Sequence, residues 1–531
     1  MKHRMPDWAE ALSRRRMLRL RLFAGGAAAG LAAGLSVALY RWLIGEAETL
    51  RTVLAAQALE DAAAGSILPF VLWAAGLLAA ALVLSALCRW EPMASGSGIP
   101  QVKGMLLGWV HLRWLRVLLV QIFGGAFAIG AGLSLGHAGP AVEIGAAAAQ
   151  GTSRAAGRRR AEERCLVTGG AGAGLAAVFN APLTGMLFAL EELHHTFSAS
   201  VILPAMAASV TAACTVRFFF GSHTIFLFTG TAPLEAGELP WVVLLGAVCG
   251  AAAVPFNAGL LAARRFYGLP CFRTRERKIG FALALAGPAA FLCPALTGGG
   301  DRLINAVTQC PPGFFVLAGL ALAKSLFTFA SFGSGVPGGF FFPSLTVGAL
   351  TGAAAGTLLI DAGLLPPEAM TNVIILSMAA FFSGSVRAPI TGAVLLLEMT
   401  GRFEQLMPLA LVTATAYVAS GLLGGVPIYE ALLRRQRADA GISTLPEPRL
   451  VELTVENGSA LDGRRAADLP LPPRTVLAEI RRGGEPIVPD AETVVRAGDQ
   501  LAFLTQCGDA AQLERLGEGT LPAGGVHAHK K

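Results

Sequence analysis

The chain has 531 residues, of which 54% are hydrophobic, 15% are charged and 64 are glycine, the profile of a polytopic helical membrane protein. Its net charge of +7 does not mark a nucleic-acid binder, because the arginines fall in short runs beside apolar segments, at Arg14–Arg21, Arg154–Arg164, Arg264–Lys278 and Arg434–Arg437. Eight scattered cysteines without a C-x-x-C pair exclude a disulfide scaffold or a zinc site and predict free, buried thiols.

Residues 1–21 read as a basic, partly amphipathic helix (Trp8, Leu12, Met17, Leu18) lying at the cytoplasmic surface. The N-terminal arginines run straight into a full-length span, so no cleavable secretory signal is expected. Apolar runs of spanning length follow, among them Leu22–Tyr40, Ile67–Leu87, Trp114–Leu133, Leu239–Ala262, Ile279–Leu296 and Leu406–Leu423. Pro182–Leu190 and Pro389–Leu397 are too short to cross alone, and short interrupted pieces in matching places point to a transporter-type site at the midplane. With the arginine-rich loops inside, both termini are expected in the cytoplasm and the number of full crossings should be even.

Between these runs lie four irregular segments. Glu91–Pro100 is a Gly/Ser loop ending in a helix start, and it reads either as a flexible interfacial loop or as a set of hydroxyls and amides facing an anion. Gly132–Gly145 breaks one helix and starts another at Gly139-Pro140, where free amides and the positive end of the helix dipole suit an anion. The alternative there is a proline-kinked span with glycines for close packing. Gly333–Pro343 again sets glycines before an aromatic-proline helix start, and Gly424–Tyr429 closes the membrane part; Tyr429 alone fits an ordinary interfacial aromatic. Irregular backbone at this depth must be buried in protein or line a polar cavity.

An internal repeat strengthens the site reading. Asn180-Ala-Pro-Leu-Thr-Gly, ending Leu190-Glu191, matches Arg387-Ala-Pro-Ile-Thr-Gly, ending Leu397-Glu398, and Gly139-Pro140 with Gly145 matches Phe342-Pro343 with Gly348. Two halves with equivalent broken helices are the build of an ion transporter with its site between the halves. After Arg437 the chain turns charged: Val476–Ile480 and Gln500–Leu504 are predicted strands, Gly483-Gly484 a turn, Asp509–Leu516 a short helix, and 519–531 a disordered tail.

Together, Gly96-Ser97-Gly98-Ile99-Pro100, Gly136-His137-Ala138-Gly139-Pro140, Gly339-Phe340-Phe341-Phe342-Pro343 and Tyr429 resemble the signature elements of the CLC chloride channels and transporters, over roughly Arg19 to Arg435. The resemblance implies an all-α membrane fold of two inverted repeats, about 22–220 and 239–436 within a membrane domain 22–436. It also implies a homodimer with one chloride pathway per subunit in the lipid bilayer, of bacterial inner-membrane or plasma-membrane type. The Ser97 and Tyr429 hydroxyls and the amides of Phe340 and Phe341 would then hold a central chloride. The family's outer gate is a glutamate directly before Gly-Pro, whereas here that place is Ala138, followed by Gly139. Its inner proton-transfer glutamate has a match in Glu192, which reads as a proton relay or as half of a structural salt bridge with a loop arginine. Glu143 reads as a displaced gate or as a hydrogen-bonded structural acid, since it lies more than a turn down the helix. Glu191 and Glu398 read as acids tying helix ends, and His194 and His195 as interfacial.

The segment Ile480-Arg481-Arg482-Gly483-Gly484 with Ala497-Gly498-Asp499 resembles the TrkA-C type regulatory domain, expected as a small α+β domain over 446–518 that binds a small ligand or caps a dimer. Function is therefore expected to be passive chloride conductance with no resident cofactor and no nucleic-acid partner. The alternatives are a proton/chloride exchanger using Glu143, a fluoride-handling relative, and a membrane sensor with a dead pore. Nothing in the chain has the spacing of a Ser/His/Asp or metal-dependent enzyme.

Overall fold

The computed structural model describes residues 7–195, 197–222, 226, 228, 236–439, 449–469, 471–472 and 474–505, with only the backbone at 7–16, 199, 236, 439 and 449. Contacts divide the chain into two units, parting between Arg437 and Ala438. The predicted helix Asp509–Leu516 and the tail 519–531 lie outside the described residues, as do the first six residues.

In the first unit the apolar runs become helices: α1 (Asp7–Ala63), α2 (Leu68–Trp90), α3 (Ile99–Leu106), α4 (Trp114–Leu119) and α5 (Gly125–Gly130), the last two joined by a π-helical turn at Val120–Gly124. Next come α6 (Ala138–Ala155), α7 (Arg160–Phe179), α8 (Pro182–Phe188), which runs into a π-helical turn Ala189–His194, and α9 (Ala199–Phe220). The second half holds α10 (Leu239–Phe266), α11 (Arg275–Leu292), α12 (Asp301–Gln309), α13 (Phe314–Gly333), α14 (Phe341–Asp361), α15 (Met370–Val386), α16 (Pro389–Thr400), α17 (Leu406–Leu422) and α18 (Ile428–Asp439). Among the described residues, eight helices are long and apolar enough to cross a membrane.

The repeat seen in the sequence is a repeat of packing. Helices α1 and α9 pair as α10 and α17 do, α6 packs on α7 as α14 packs on α15, and α8 meets α7 as α16 meets α15. Asn180 and Arg387, at matched ends of α7 and α15, both adopt the left-handed conformation that stops a helix. Glycine permits the closest crossing: a Cβ at Gly145 would strike the Gly170 carbonyl, and its counterpart Gly348 would bring one to 2.9 Å from the Ser377 carbonyl. Helix α15 is largely apolar and buried along almost its whole length, its Asn372, Ser377, Ser383 and Ser385 hydrogen-bonded inside, whereas α2 turns Leu72, Leu78 and Leu82 outward, as a lipid-facing helix does.

Two expectations are corrected here. The N-terminal helix 1–21 is not a separate element, because no proline interrupts Asp7–Ala63 and α1 runs through Leu22 without a break. At 57 residues it is about 85 Å long, more than twice the hydrocarbon thickness of a bilayer. The thiols are also not uniformly buried: Cys88 and Cys249 are, whereas Cys214, Cys271 and Cys310 are exposed. Cys271 falls in the turn between α10 and α11 and Cys310 at the end of α12, outside the packed helix faces.

The second unit is an antiparallel sheet of β1 (Arg449–Thr454), β2 (Thr475–Arg482), β3 (Glu485–Ile487) and β4 (Gln500–Thr505), ordered β1-β4-β2-β3. Leu477, Ile480, Leu501 and Phe503 point to one face and form its core with Val455, Leu461, Leu469 and Val495. Of these strands β1 and β3 were not foreseen. Pro486 is tolerated in β3 because that strand lies at the sheet edge.

Candidate functional site

Three of the four irregular segments are stitched together by main-chain hydrogen bonds. Gly96 N–H donates to Val336 O (3.1 Å) and Gly338 N–H to Gly96 O (3.1 Å), while Gly136 N–H donates to Gly339 O (2.6 Å) and Gly339 N–H returns to Gly136 O (2.9 Å). These short bridges satisfy backbone that lipid could not. They also place the starts of α3, α6 and α14 around one point. Glycine is required at the crossing: a Cβ at Gly98 (φ +80) would sit 2.7 Å from the Gly139 carbonyl, and one at Gly139 would overlap the Ser97 carbonyl.

Each of the three helices opens with a proline in or next to its first turn, Pro100, Pro140 and Pro343, so the leading N–H groups stay outside the helical ladder. Phe340 is the N-cap of α14 and Phe341 its first residue. The fourth segment feeds α18, which carries Tyr429 against Phe340 with ring centroids 5.3 Å apart. Tyr429 is fully buried, which removes its reading as an interfacial aromatic.

The Ser97 hydroxyl is buried too, and the Ser97 and Tyr429 hydroxyls face one another. Neither meets a protein group at hydrogen-bonding geometry. A buried polar group left without a partner costs about 1–3 kcal/mol, so two such donors converging beside three helix starts fit a group that the protein itself does not supply. Neutral hydroxyls, amides and dipole ends suit an anion that must also leave, because a fixed cation would hold it too tightly.

Ala138 is the first residue of α6 and fully buried, so a methyl group stands at this helix start. Glu143 is not there. It lies further along α6, fully buried, accepting from Gln121 Nε2, which also donates to Ala94 O at 3.1 Å. Its Oε1 has no hydrogen-bond partner, and its Cβ would be 3.0 Å from a Cβ on Gly98. Glu192 is half of a salt bridge, but its partner is Lys103 on α3, at 3.0 Å, and not a loop arginine. The same ammonium lies 3.6 Å from Glu430 Oε2. Lys103, Glu430 and Gln121 were missed in the sequence. A lysine in a short buried helix beside an irregular loop was the signal available for the first.

Glu191 and Glu398 tie helix ends, and they do so across the repeat. Glu191 of the first half accepts from the Ile390 and Thr391 amides (3.2 and 2.7 Å) and the Thr391 hydroxyl (2.7 Å) at the start of α16. Glu398 of the second half accepts from the Leu183 and Thr184 amides (3.0 and 2.7 Å) and the Thr184 hydroxyl (2.7 Å) at the start of α8. His194 and His195 join no metal cluster among the described residues.

The sequence pattern of the voltage gated chloride channel family matches residues 75–421, well over half of the chain. The chain belongs to that family, the CLC proteins. Residues 450–516 match the TrkA-C domain, to which the C-terminal sheet belongs. The H(+)/Cl(-) exchange transporter ClcA of Vibrio cholerae is 36% identical over 388 residues, covering 70% of this chain and 81% of that protein. ClcA of Yersinia pseudotuberculosis is 34% identical over 383 residues, covering 70% and 79%. Among solved structures, a slow cyanobacterial Cl-/H+ antiporter superposes with a TM-score of 0.72 at 29% identity, over 79% of this chain and 98% of that one. A CLC-type fluoride/proton antiporter, with a TM-score of 0.61 at 22% identity over 75% and 95%, shares the fold.

Proposed function

We propose that the chain carries chloride across a membrane through the Ser97, Tyr429, Phe340 and Phe341 constellation, as a passive conductance without stoichiometric proton coupling. The observation behind this reading is the methyl group of Ala138 at the helix start, beside hydroxyls that no protein group satisfies. A carboxylate at that point would compete with chloride for the same amides and dipole end, and would carry a proton when displaced. A methyl group does neither. Relatives named as H(+)/Cl(-) exchangers support chloride as the transported ion. The proposal includes a homodimer in a bacterial-type inner or plasma membrane, with both termini cytoplasmic and a small ligand for the TrkA-C domain.

The test is reconstitution into liposomes with chloride and proton movement followed together. Chloride flux without uphill proton movement is expected; stoichiometric uphill protons would overturn the uncoupled reading. Fluoride replaces chloride in a parallel run, and a strong fluoride preference would assign the chain to a fluoride-handling role instead. One observation favours a second reading, exchange through Glu143: that acid is buried against the Ser97 loop with one oxygen unpartnered. On that reading Glu143→Gln abolishes proton movement and spares chloride flux.

A further inference from the structure

Each of the two hydroxyl-bearing segments at the site also carries one member of a charged cluster. Lys103 is on α3, which opens directly after Ser97 and Gly98, and Glu430 follows Tyr429 on α18. The third member, Glu192, comes from the π-helical turn after α8. Lys103 Nζ donates to Glu192 Oε1 at 3.0 Å, with both side chains almost wholly buried, and stands 3.6 Å from Glu430 Oε2, within ion-pair range but beyond a hydrogen bond. Two carboxylates and one ammonium leave a net charge of −1 next to the place where Ser97 and Tyr429 present their hydroxyls. Without the ammonium the same place would carry −2.

A buried ion pair is a weak source of stability, yet removing one partner leaves an uncompensated charge. Here that charge would act on an anion held a short way off, in surroundings where screening is poor. The other charged groups around the cluster are already engaged or directed elsewhere, except His195, which lies within electrostatic reach of both Lys103 and Glu430. Glu191 caps α16, Glu143 on α6 is held by Gln121, and Arg164 on α7 lies by Gly108 past the far end of α3; His194 and His195 lie beside it on the chain after Glu192. The cation that sets the local charge is therefore Lys103.

We infer that Lys103 is a positioning residue of the anion path: it holds Glu192 in place and cancels one of the two negative charges that a chloride between Ser97 and Tyr429 would meet. The inference rests on the proposed chloride site but not on whether transport is coupled to protons. It is tested on the full purified chain by calorimetric titration with chloride at acidic and alkaline pH. Lys103→Met is expected to weaken chloride binding on the order of tenfold at alkaline pH. The loss should shrink at acidic pH, where uncompensated carboxylate charge is neutralised, and adding Glu192→Gln to Lys103→Met should restore affinity at both. A loss that is independent of pH, or that the double variant does not rescue, would overturn the inference, as would unchanged affinity in Lys103→Met.

Should Lys103→Met fail to fold, Glu192→Gln alone carries the test, since it takes the cluster from −1 to 0. It should tighten chloride binding, and unaltered or weaker binding counts against the inference. Absence of chloride binding by the unaltered chain would defeat the site itself. Uphill proton movement in liposomes would defeat only the uncoupled reading, so the failures are separable.

Discussion

Replacing Tyr429 with phenylalanine separates a hydroxyl that serves the protein from one that serves an ion. The ring is fully buried and packs on Phe340 at 5.3 Å between centroids, and phenylalanine keeps that contact. Only the hydroxyl is lost, and it has no protein hydrogen-bond partner. If its work is on chloride, the loss is one hydrogen bond to a charged group, about 1.5–3 kcal/mol, or roughly 10- to 150-fold in Kd. Folding should respond in the opposite sense: in chloride-free buffer the variant should be as stable as the parent, or up to about 1 kcal/mol more stable, because a buried unsatisfied group has been removed. Calorimetric titration reads the first quantity and thermal unfolding in chloride-free buffer the second. A fall in stability of more than about 1 kcal/mol with an unaltered Kd would refute the reasoning, since the hydroxyl would then be part of the fold.

The crossing of Gly139 with Ser97 predicts that Gly139→Ala lowers both Tm and chloride binding, at about 1–3 kcal/mol of overpacking, because the new methyl overlaps a backbone carbonyl. Gly76→Ala, in the lipid-facing α2 where nothing lies within 4 Å, should leave Tm unchanged or raise it. Glu191→Gln and Glu398→Gln should each destabilise the membrane unit by about 1–3 kcal/mol, and by similar amounts, since each acid accepts three equivalent hydrogen bonds at the opposite half's helix start; thermal unfolding of the two variants side by side checks this. In the TrkA-C domain the Arg482 guanidinium, bonded at 2.9 and 2.8 Å, holds the Asp499 carboxyl below its ordinary range. Its stabilisation is therefore complete above the unfolded aspartate value of about 4 and is lost as pH falls through the lower folded value. Amide protection in β2 and β4, taken relative to the intrinsic exchange rate at each pH, should fall in that acid range, and Asp499→Asn should remove the dependence.

Much of the site was legible because it is built from rare residues. Glycine-proline breaks in apolar sequence mark helix starts wherever they occur, so the openings of α3, α6 and α14 and the A-P-x-T-G repeat were readable, as was the role of Glu191 and Glu398 as end-tying acids, though not that each caps a helix of the opposite half. The charged cluster was not legible in the same way. Lys103 and Glu192 are 89 residues apart, and each alone looks like an isolated polar residue in a membrane segment. A basic N-terminal segment followed by an apolar run invited a boundary at residue 21, yet α1 passes through it because nothing local opposes helix there. Strand β3, three residues long with a proline, is too short to show alternation and exists only because β2 pairs with it.

Local pattern by itself determined that this chain crosses a membrane in helices, where those helices break, and that its two halves repeat, since each follows from the solvation of apolar runs and the backbone limits of glycine and proline. Only the tertiary structure decided that Gly96, Gly136 and Gly339 meet at one point, that the Ser97 and Tyr429 hydroxyls are left without protein partners, and that Lys103 neutralises Glu192. Those outcomes depend on pairing between segments far apart in the chain. Burial and hydrogen-bond satisfaction select that pairing for the fold as a whole, and no single stretch of residues encodes it.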